Sequence, residues 1–282
     1  MSQLISHGSV GDFLEKNRSY LLKREAQNNL ILGICENLKQ KPRNELDHFL
    51  SVEYNGEIMA VLIKTSPKAV LSATTYQEKD ILLLCRYFEA KDDKPVAVLA
   101  ETLYADLFAR SFNEVSRVKT RLMLHQLTEK PESRDTFQKF GAAGEGDIDQ
   151  LSNFLLAYEF DTEHVSRLDI STARTIVKQQ VDEHRLFVWR DAGAIVSMAA
   201  ILRRTPNFCA IGNVYTPGNL RGKGYGRSCV NELSRYVIDQ GYAGCVLFSD
   251  LSNPVSGHIY NEIGYRPVSE FCEVSFNQQD AF

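Results

Sequence analysis

The 282-residue sequence predicts an α/β chain with a mixed sheet, built as two halves of the same element order. Three observations carry this. Residues 48–63 read as a hairpin, HFLSVEY and EIMAVLI flanking Asn55-Gly56, a dipeptide suited to a tight type I′ turn. Residues 214–230, VYTPGNLRGKGYGRSCV, lead a β-rich run through closely spaced glycines straight into a helical pattern. Each half also runs helix, hairpin, strand, helix, strand, helix, strand. That order reads as an internal duplication, argued from the elements and not from residue identity.

In the first half, residues 18–38 are rich in helix formers, and Leu21, Leu22, Leu30, Ile31 and Ile34 give a partly periodic apolar face. After the hairpin, a strand is expected over 69–73 and a helix over 77–88. A strand over 96–100, a helix over 103–111 and a closing strand over 118–127 follow. Residues 128–135, TEKPESRD, are polar, contain Pro131 and read as a linker, dividing the chain into domains 1–130 and 135–282. The second half offers helices over 147–158 and 171–181, then a hairpin from 186–189 and 194–202. A strand over 210–215, the glycine loop and a helix to about Gln240 come next. The strand CVLF, a short helix from Pro254 and closing strands from Tyr265 complete the chain.

Composition narrows the function. Apolar residues at 44% and charged residues at 24% suit a globular chain that buries a real core, and the length suits about two domains. Lys and Arg number 32 against 36 Asp and Glu, a net charge of -4, which argues against a nucleic-acid binder relying on a large positive field. Cysteines fall at 35, 85, 209, 229, 245 and 272, without a CxxC pair or zinc-type spacing, so no metal is expected. The opening MSQLISHGSVGDFLEKNRSY lacks the basic-then-apolar order of a signal peptide, and no apolar run approaches the ~18 residues of a membrane span. A cytoplasmic protein with reduced thiols is the expectation, most of the cysteines serving as small hydrophobes.

The glycine loop has the makings of an anion site. Gly222, Gly224 and Gly226 let successive backbone N–H groups converge, the following helix start adds a positive dipole end, and Arg221, Lys223 and Arg227 surround the nest. A diphosphate would suit it, although the same glycines also suit a plain surface turn. The GxGxxG fingerprint fails because Arg227 and Cys229 stand where its third glycine would be. A P-loop fails for want of a GxxxxGK[ST] pattern. What fits is Arg221-x-x-Gly224-x-Gly226, which resembles the pyrophosphate loop of the GCN5-related N-acetyltransferase (GNAT) superfamily. Residues 247–267, LFSDLSNPVSGHIYNEIGYRP, resemble the next two elements of that family, with Asn253, Tyr260, Gly264 and Tyr265 in the matching places. The helix has its own logic. Asn253 is a good N-cap, Pro254 suits the first helical position, and Val255, Ile259 and Ile263 form a stripe at i, i+4, i+8. Tyr260 lies about 100° from Ile259, off the middle of that stripe, so its hydroxyl could face a cleft; a half-buried packing tyrosine is the plainer reading.

The resemblance covers residues 137–282 and implies a GNAT-like acyl-CoA N-acyltransferase fold there, with the first half a degenerate copy. The corresponding turn of the first half, SATTYQEKD, has no glycine and no basic cluster, so only the second copy is expected to bind cofactor. By resemblance, acetyl-CoA serves as cosubstrate. The backbone of Val214, Tyr215 and Thr216 would pair with its pantetheine arm. Arg221, Gly222, Lys223, Gly224, Tyr225, Gly226, Arg227 and Ser228 would hold the pyrophosphate. Asn253 would orient the pantetheine or the thioester end. The implied reaction is direct attack by the amine of a small molecule on the thioester carbonyl, polarised by a backbone N–H near Val214 or Tyr215. Tyr260, at the family's usual acid position, would also touch the cofactor and protonate the leaving thiolate.

The amine must lose a proton first. Glu159, Asp161 and Glu163 lie where the family often places substrate residues: Glu159 is the candidate base, with Asp161 and Asn213 on the acceptor side. A solvated acidic loop and a buried amide are the plainer alternatives. His164 and His184 are not taken as catalytic. Two further readings stay open, a non-catalytic acyl-CoA sensor and an acyltransferase using a longer acyl chain. The first half could cover the acceptor pocket or form the surface of a homodimer.

Overall fold

The computed structural model describes residues 1–39, 44–65, 67–74, 77–112, 116–133, 139–163 and 168–276. The end of the expected linker, residues 134 and 135, and His164 lie outside them. In chain order the elements are β1 (Gln3–Ser6), α1 (Val10–Lys23), α2 (Asn29–Leu38), β2 (His48–Tyr54), β3 (Glu57–Lys64), β4 (Lys68–Ala73), α3 (Glu78–Lys91), β5 (Ala97–Glu101), α4 (Thr102–Ser111) and β6 (Arg117–Leu127). There follow β7 (Phe140–Ala142), α5 (Ile148–Glu163), α6 (Ile170–Asp182), β8 (Leu186–Asp191), β9 (Ala194–Arg204), β10 (Phe208–Tyr215), α7 (Tyr225–Asp239), β11 (Gly244–Asp250), α8 (Pro254–Ile263) and β12 (Arg266–Ser275). No helix among the described residues is long and apolar enough to cross a membrane.

These elements pack into two compact units. The first comprises Met1–Leu124, Ser249–Gly257 and Pro267–Phe282; the second comprises His125–Phe248 and His258–Arg266. The units follow packing and not chain order: β12, written by the second half of the sequence, belongs to the first unit, and the last residues of β6 belong to the second.

In the first unit the strands run β1-β2-β3-β4-β5-β12-β6. Asn55 and Gly56 both have positive φ, 51° and 85°, as the expected type I′ turn between β2 and β3 demands. Alternation then splits the strands between two layers. Leu50, Leu62 and Leu71 face Ile81, Leu84 and Phe88 of α3 and Phe108 of α4. Phe49, Val61 and Ile63 face Phe13 and Leu21 of α1 and Ile31 and Leu32 of α2.

The single helix expected over 18–38 is two helices. Arg24 leaves helical geometry at φ -133°, and the Asn28 side-chain amide donates to the Leu21 carbonyl at 2.9 Å, satisfying the end of α1. Helix α1 starts earlier than expected because the Ser9 hydroxyl accepts from the Asp12 N–H, a cap worth about 1 kcal/mol. The expected closing strands are one strand, β12, paired antiparallel with β5 from Phe271↔Glu101 to Ser275↔Ala97.

In the second unit the order is the end of β6, then β11-β10-β9-β8-β7. Val230, Leu233 and Val237 of α7 are buried against Trp189, Ile211, Leu247 and Tyr265. On the opposite face Leu151 and Leu155 of α5 and Ala173 and Val177 of α6 pack on Val188, Met198 and Ala200. All six cysteines are buried and free of disulfides. Burial pushes the thiols of Cys35, Cys85 and Cys245 up to about 12 and that of Cys209 up to about 11, so they act as hydrophobes and not as nucleophiles at neutral pH.

The seam between β11 and the end of β6 leaves no room for a side chain at Gly244, where a Cβ would lie 1.9 Å from the Leu127 carbonyl oxygen. Gly218 meets nothing within 4 Å. Gly244→Ala is expected to destabilise by about 1–3 kcal/mol, as overpacking does, and Gly218→Ala by less than about 0.5 kcal/mol. Urea-denaturation midpoints of the two variants check this.

Candidate active site

The site begins with a fault in β10. Against β9, Gly212 pairs with Ala200, yet the next partner of Met198 is Tyr215, so Asn213 and Val214 together oppose Ala199. This is a β-bulge, and Asn213 within it takes the left-handed conformation at φ 49°. On its other side β10 pairs in parallel with β11 only at Phe208↔Gly244, Cys209↔Cys245 and Ala210↔Val246. Both strands continue, β10 to Tyr215 and β11 to Asp250, but they part. The bulged end is pinned by a relay in which the Thr216 hydroxyl donates to Ser197 Oγ at 2.9 Å and Ser197 donates to the Tyr215 carbonyl at 3.0 Å.

Helix α7 starts directly beside that end. A Cβ on Gly226 would lie 3.2 Å from Thr216 Oγ1, so glycine permits the close approach. Gly222 and Gly224 hold φ of 78° and 80°, which L side chains rarely adopt. The first helical bond runs from the Ser228 N–H to the Gly224 carbonyl at 2.9 Å, and no side chain caps the helix. The N–H groups of Tyr225, Gly226 and Arg227 precede that bond and are the donors a helix start leaves for an anion.

Charged partners surround this cradle. Arg221 Nε donates to the Thr216 carbonyl at 2.9 Å, its guanidinium lies 5.8 Å from the centre of the Tyr215 ring, and Nη2 is ion-paired with Asp161. Arg227 Nη1 donates to Glu262 at 2.5 Å, while its Nε is buried without a hydrogen bond. Lys223 is exposed, and with Lys139 and the Tyr225 hydroxyl it helps hold the Asp191 carboxyl below its ordinary range, the Tyr225 bond at 2.6 Å being the largest cause.

Tyr260 is 8% exposed, more deeply placed than the off-stripe position expected for it, because its ring lies 6.0 Å from those of both His125 and Tyr265. Its hydroxyl makes no hydrogen bond among the described residues and is not one of the fully enclosed polar atoms. Burial raises its pKa strongly, with Tyr158 of α5 adding to the shift. Burial also lowers the His125 pKa, so that ring is neutral beside the phenol.

Of the other candidates, Glu159 is half-buried on α5, Asp161 is exposed and engaged with Arg221, and Asn213 sits in the bulge. Asn253 is exposed, donates its N–H to the Asp250 carbonyl at 3.0 Å, and belongs to the first compact unit. Sequence reasoning missed His125, Tyr158, Ser197 and Asp191. Only Tyr158, one residue before Glu159 in YEFDTEH, lay within a segment it had marked.

Residues 148–265 match the sequence profile of the acetyltransferase (GNAT) family. Among curated proteins none matches. Solved structures share the fold over nearly the whole chain. A GNAT-family acetyltransferase from Colwellia psychrerythraea has a TM-score of 0.59 at 11% identity, covering 98% of this chain and 100% of its own. A GCN5-related N-acetyltransferase from Sphaerobacter thermophilus has a TM-score of 0.61 at 14% identity over 96% and 94%. A tandem GNAT protein from the clavulanic acid biosynthesis pathway has 0.55 at 11% over 97% and 98%. The fold is therefore the mixed α/β fold of these acetyltransferases, as the resemblance implied.

The lowered His125 pKa has a consequence for pH. The unfolded ring, with an ordinary value of about 6.5, takes up a proton that the folded ring refuses, so stability falls as pH drops below about 6.5 toward the lowered value. His7, also lowered chiefly by burial, adds the same sign. His125→Gln is expected to flatten this slope, read from urea midpoints between about pH 7.5 and 5.5.

Proposed function

We propose, from the match of residues 148–265 to the acetyltransferase (GNAT) family, that the protein transfers acetyl from acetyl-CoA to the amine of a small molecule. The domain responsible is the one written by residues 135–282. The observation that carries the reading is the parting of β10 from β11 beside an uncapped, glycine-rich helix start.

The residues present fit the cosubstrate. Left-handed Gly222 and Gly224, the close-packed Gly226 and the cations Arg221, Lys223 and Arg227 form a cradle for a diphosphate, with Tyr225 and Ser228 in the same turn. The strand end at Val214, Tyr215 and Thr216, no longer paired with β11, offers backbone groups to an amide-bearing arm. Bound there, acetyl-CoA would supply the thioester as acyl donor.

Tyr260 supports the chemistry in a specific way. An ordinary phenol has a pKa of about 10 and an ordinary thiol about 8.5. Burial widens that gap, so Tyr260 keeps its proton and acts on the departing sulfur chiefly as a hydrogen-bond donor. Full proton transfer to sulfur must then be coupled to proton loss from the attacking amine, whose ordinary value is near 10.4. Glu159, half-buried on the helix that carries Tyr158, is the proposed base, acting through water. Asn213 and Asp161 are the proposed acceptor contacts. Because Asp161 already holds Arg221, an acceptor ammonium would share that carboxylate with the guanidinium.

Calorimetric titration with acetyl-CoA tests the cradle. Saturable binding is expected for the wild type and not for Gly224→Glu, which puts a carboxylate and a strained backbone into the nest. Absence of binding at millimolar acetyl-CoA would refute the reading. For Tyr260→Phe, kcat should fall by roughly 10²-fold while acetyl-CoA affinity stays within about twofold, and an unchanged kcat would remove the tyrosine from the reaction.

A further inference from the structure

The strand parting of the second unit occurs again in the first. Strand β4 pairs in parallel with β5 only at Lys68↔Ala97, Ala69↔Val98 and Val70↔Leu99, although β4 runs on to Ala73 and β5 to Glu101. Beyond the last pair lies a cavity of about 270 Å³ lined by Arg24, Thr74, Glu101, Leu103 and Tyr104. Phosphate chemistry does not fit it. Helix α3 carries Glu78 and Asp80 in its first turn, which disfavours an anion at that helix start. The volume is also below the roughly 300–1,000 Å³ of sites for drug-sized ligands, so an occupant must be small.

The lining carries one charge of each sign. Arg24 Nη2 donates to Glu101 Oε1 at 2.7 Å, with the two side chains 33% and 17% exposed. That bond uses one nitrogen of a five-donor fork and one oxygen of the carboxylate. Among the described residues no other side-chain hydrogen bond or ion pair engages either group, and Glu101 Oε2 is not one of the enclosed, unsatisfied atoms. Both groups therefore retain hydrogen-bonding capacity on a wall of the cavity. A lone anion would bind Arg24 against the repulsion of Glu101, and a lone cation would meet the converse. A molecule carrying both charges a few ångströms apart satisfies both partners and leaves no net charge.

We propose that this cleft binds a free α-amino acid, its carboxylate on the Arg24 guanidinium and its ammonium on Glu101 Oε2. Thr74 and Tyr104 line the same cavity, and Leu103 supplies an apolar edge for the side chain. The site is independent of acyl transfer in the second unit.

Titration calorimetry on the full chain, without acetyl-CoA and at neutral pH, tests this with the standard amino acids, their methyl esters and their N-acetyl derivatives. At least one amino acid should bind saturably below about 10 mM, and its ester and N-acetyl forms, each lacking one charge, should bind at least tenfold more weakly. Arg24→Gln and Glu101→Gln should each weaken binding at least tenfold, with folding checked by circular dichroism. If either variant fails to fold, the comparison of ligand forms on the wild type still decides. Three results would overturn the proposal: no saturable binding by any amino acid, equal binding of a singly charged form, or undiminished binding by a folded Arg24→Gln or Glu101→Gln.

Discussion

Two parallel strands that begin a register together and then separate are the constraint on which the site depends. While β10 and β11 run side by side, their backbone groups satisfy one another and nothing is left for a ligand. Once they part, the backbone groups beyond Ala210 and Val246 lose that partner, and each would cost about 1–3 kcal/mol if buried unpaired. The bulge at Asn213 keeps β10 attached to β9 while changing its course, and the Thr216–Ser197–Tyr215 relay fixes where the strand ends. The absence of a side chain at residue 226 lets helix α7 approach that end closely, where a Cβ would lie 3.2 Å from Thr216 Oγ1. Strand course, helix position and anion cradle thus form one linked arrangement.

The first unit shows what that arrangement becomes with different side chains. Its β4 and β5 separate in the same way, so the backbone geometry is common to both units. The turns that follow differ in chemistry. Gly224 stands just before α7 in a left-handed conformation among three cations, whereas Gln77 stands just before α3 in an extended one, ahead of Glu78 and Asp80. The charges around one helix start favour an anion and those around the other disfavour it. The two openings thus differ in the chemistry that lines them, and the Arg24–Glu101 pair gives the one in the first unit a separate polar identity.

Elements with strong local rules were legible in the residues. The Asn55-Gly56 turn, the stripe Val230, Leu233 and Val237, and the glycine nest follow from backbone conformation and helical period, and each lies where those rules place it. Short edge strands were not legible. Gln3–Ser6 and Phe140–Ala142 carry too few residues for a period-2 pattern and owe their state to the neighbour they pair with. The break between α1 and α2 depends on a side-chain amide reaching a carbonyl seven positions back, which competes invisibly with helix propensity. At the site, the motif residues could be read, but their partners could not. His125 comes from β6 and Asp191 from the β8–β9 hairpin, and each is brought in by tertiary packing alone.

Amide hydrogen exchange with and without acetyl-CoA is the most direct test of the claim that the parted strands and uncapped helix of the second unit form the cofactor site. The account predicts slowed exchange at residues 213–216 and 222–228, with Lys68–Ala73 of the first unit unchanged. Protection confined to the β4–β5 opening, or none in either segment at saturating acetyl-CoA, would contradict it.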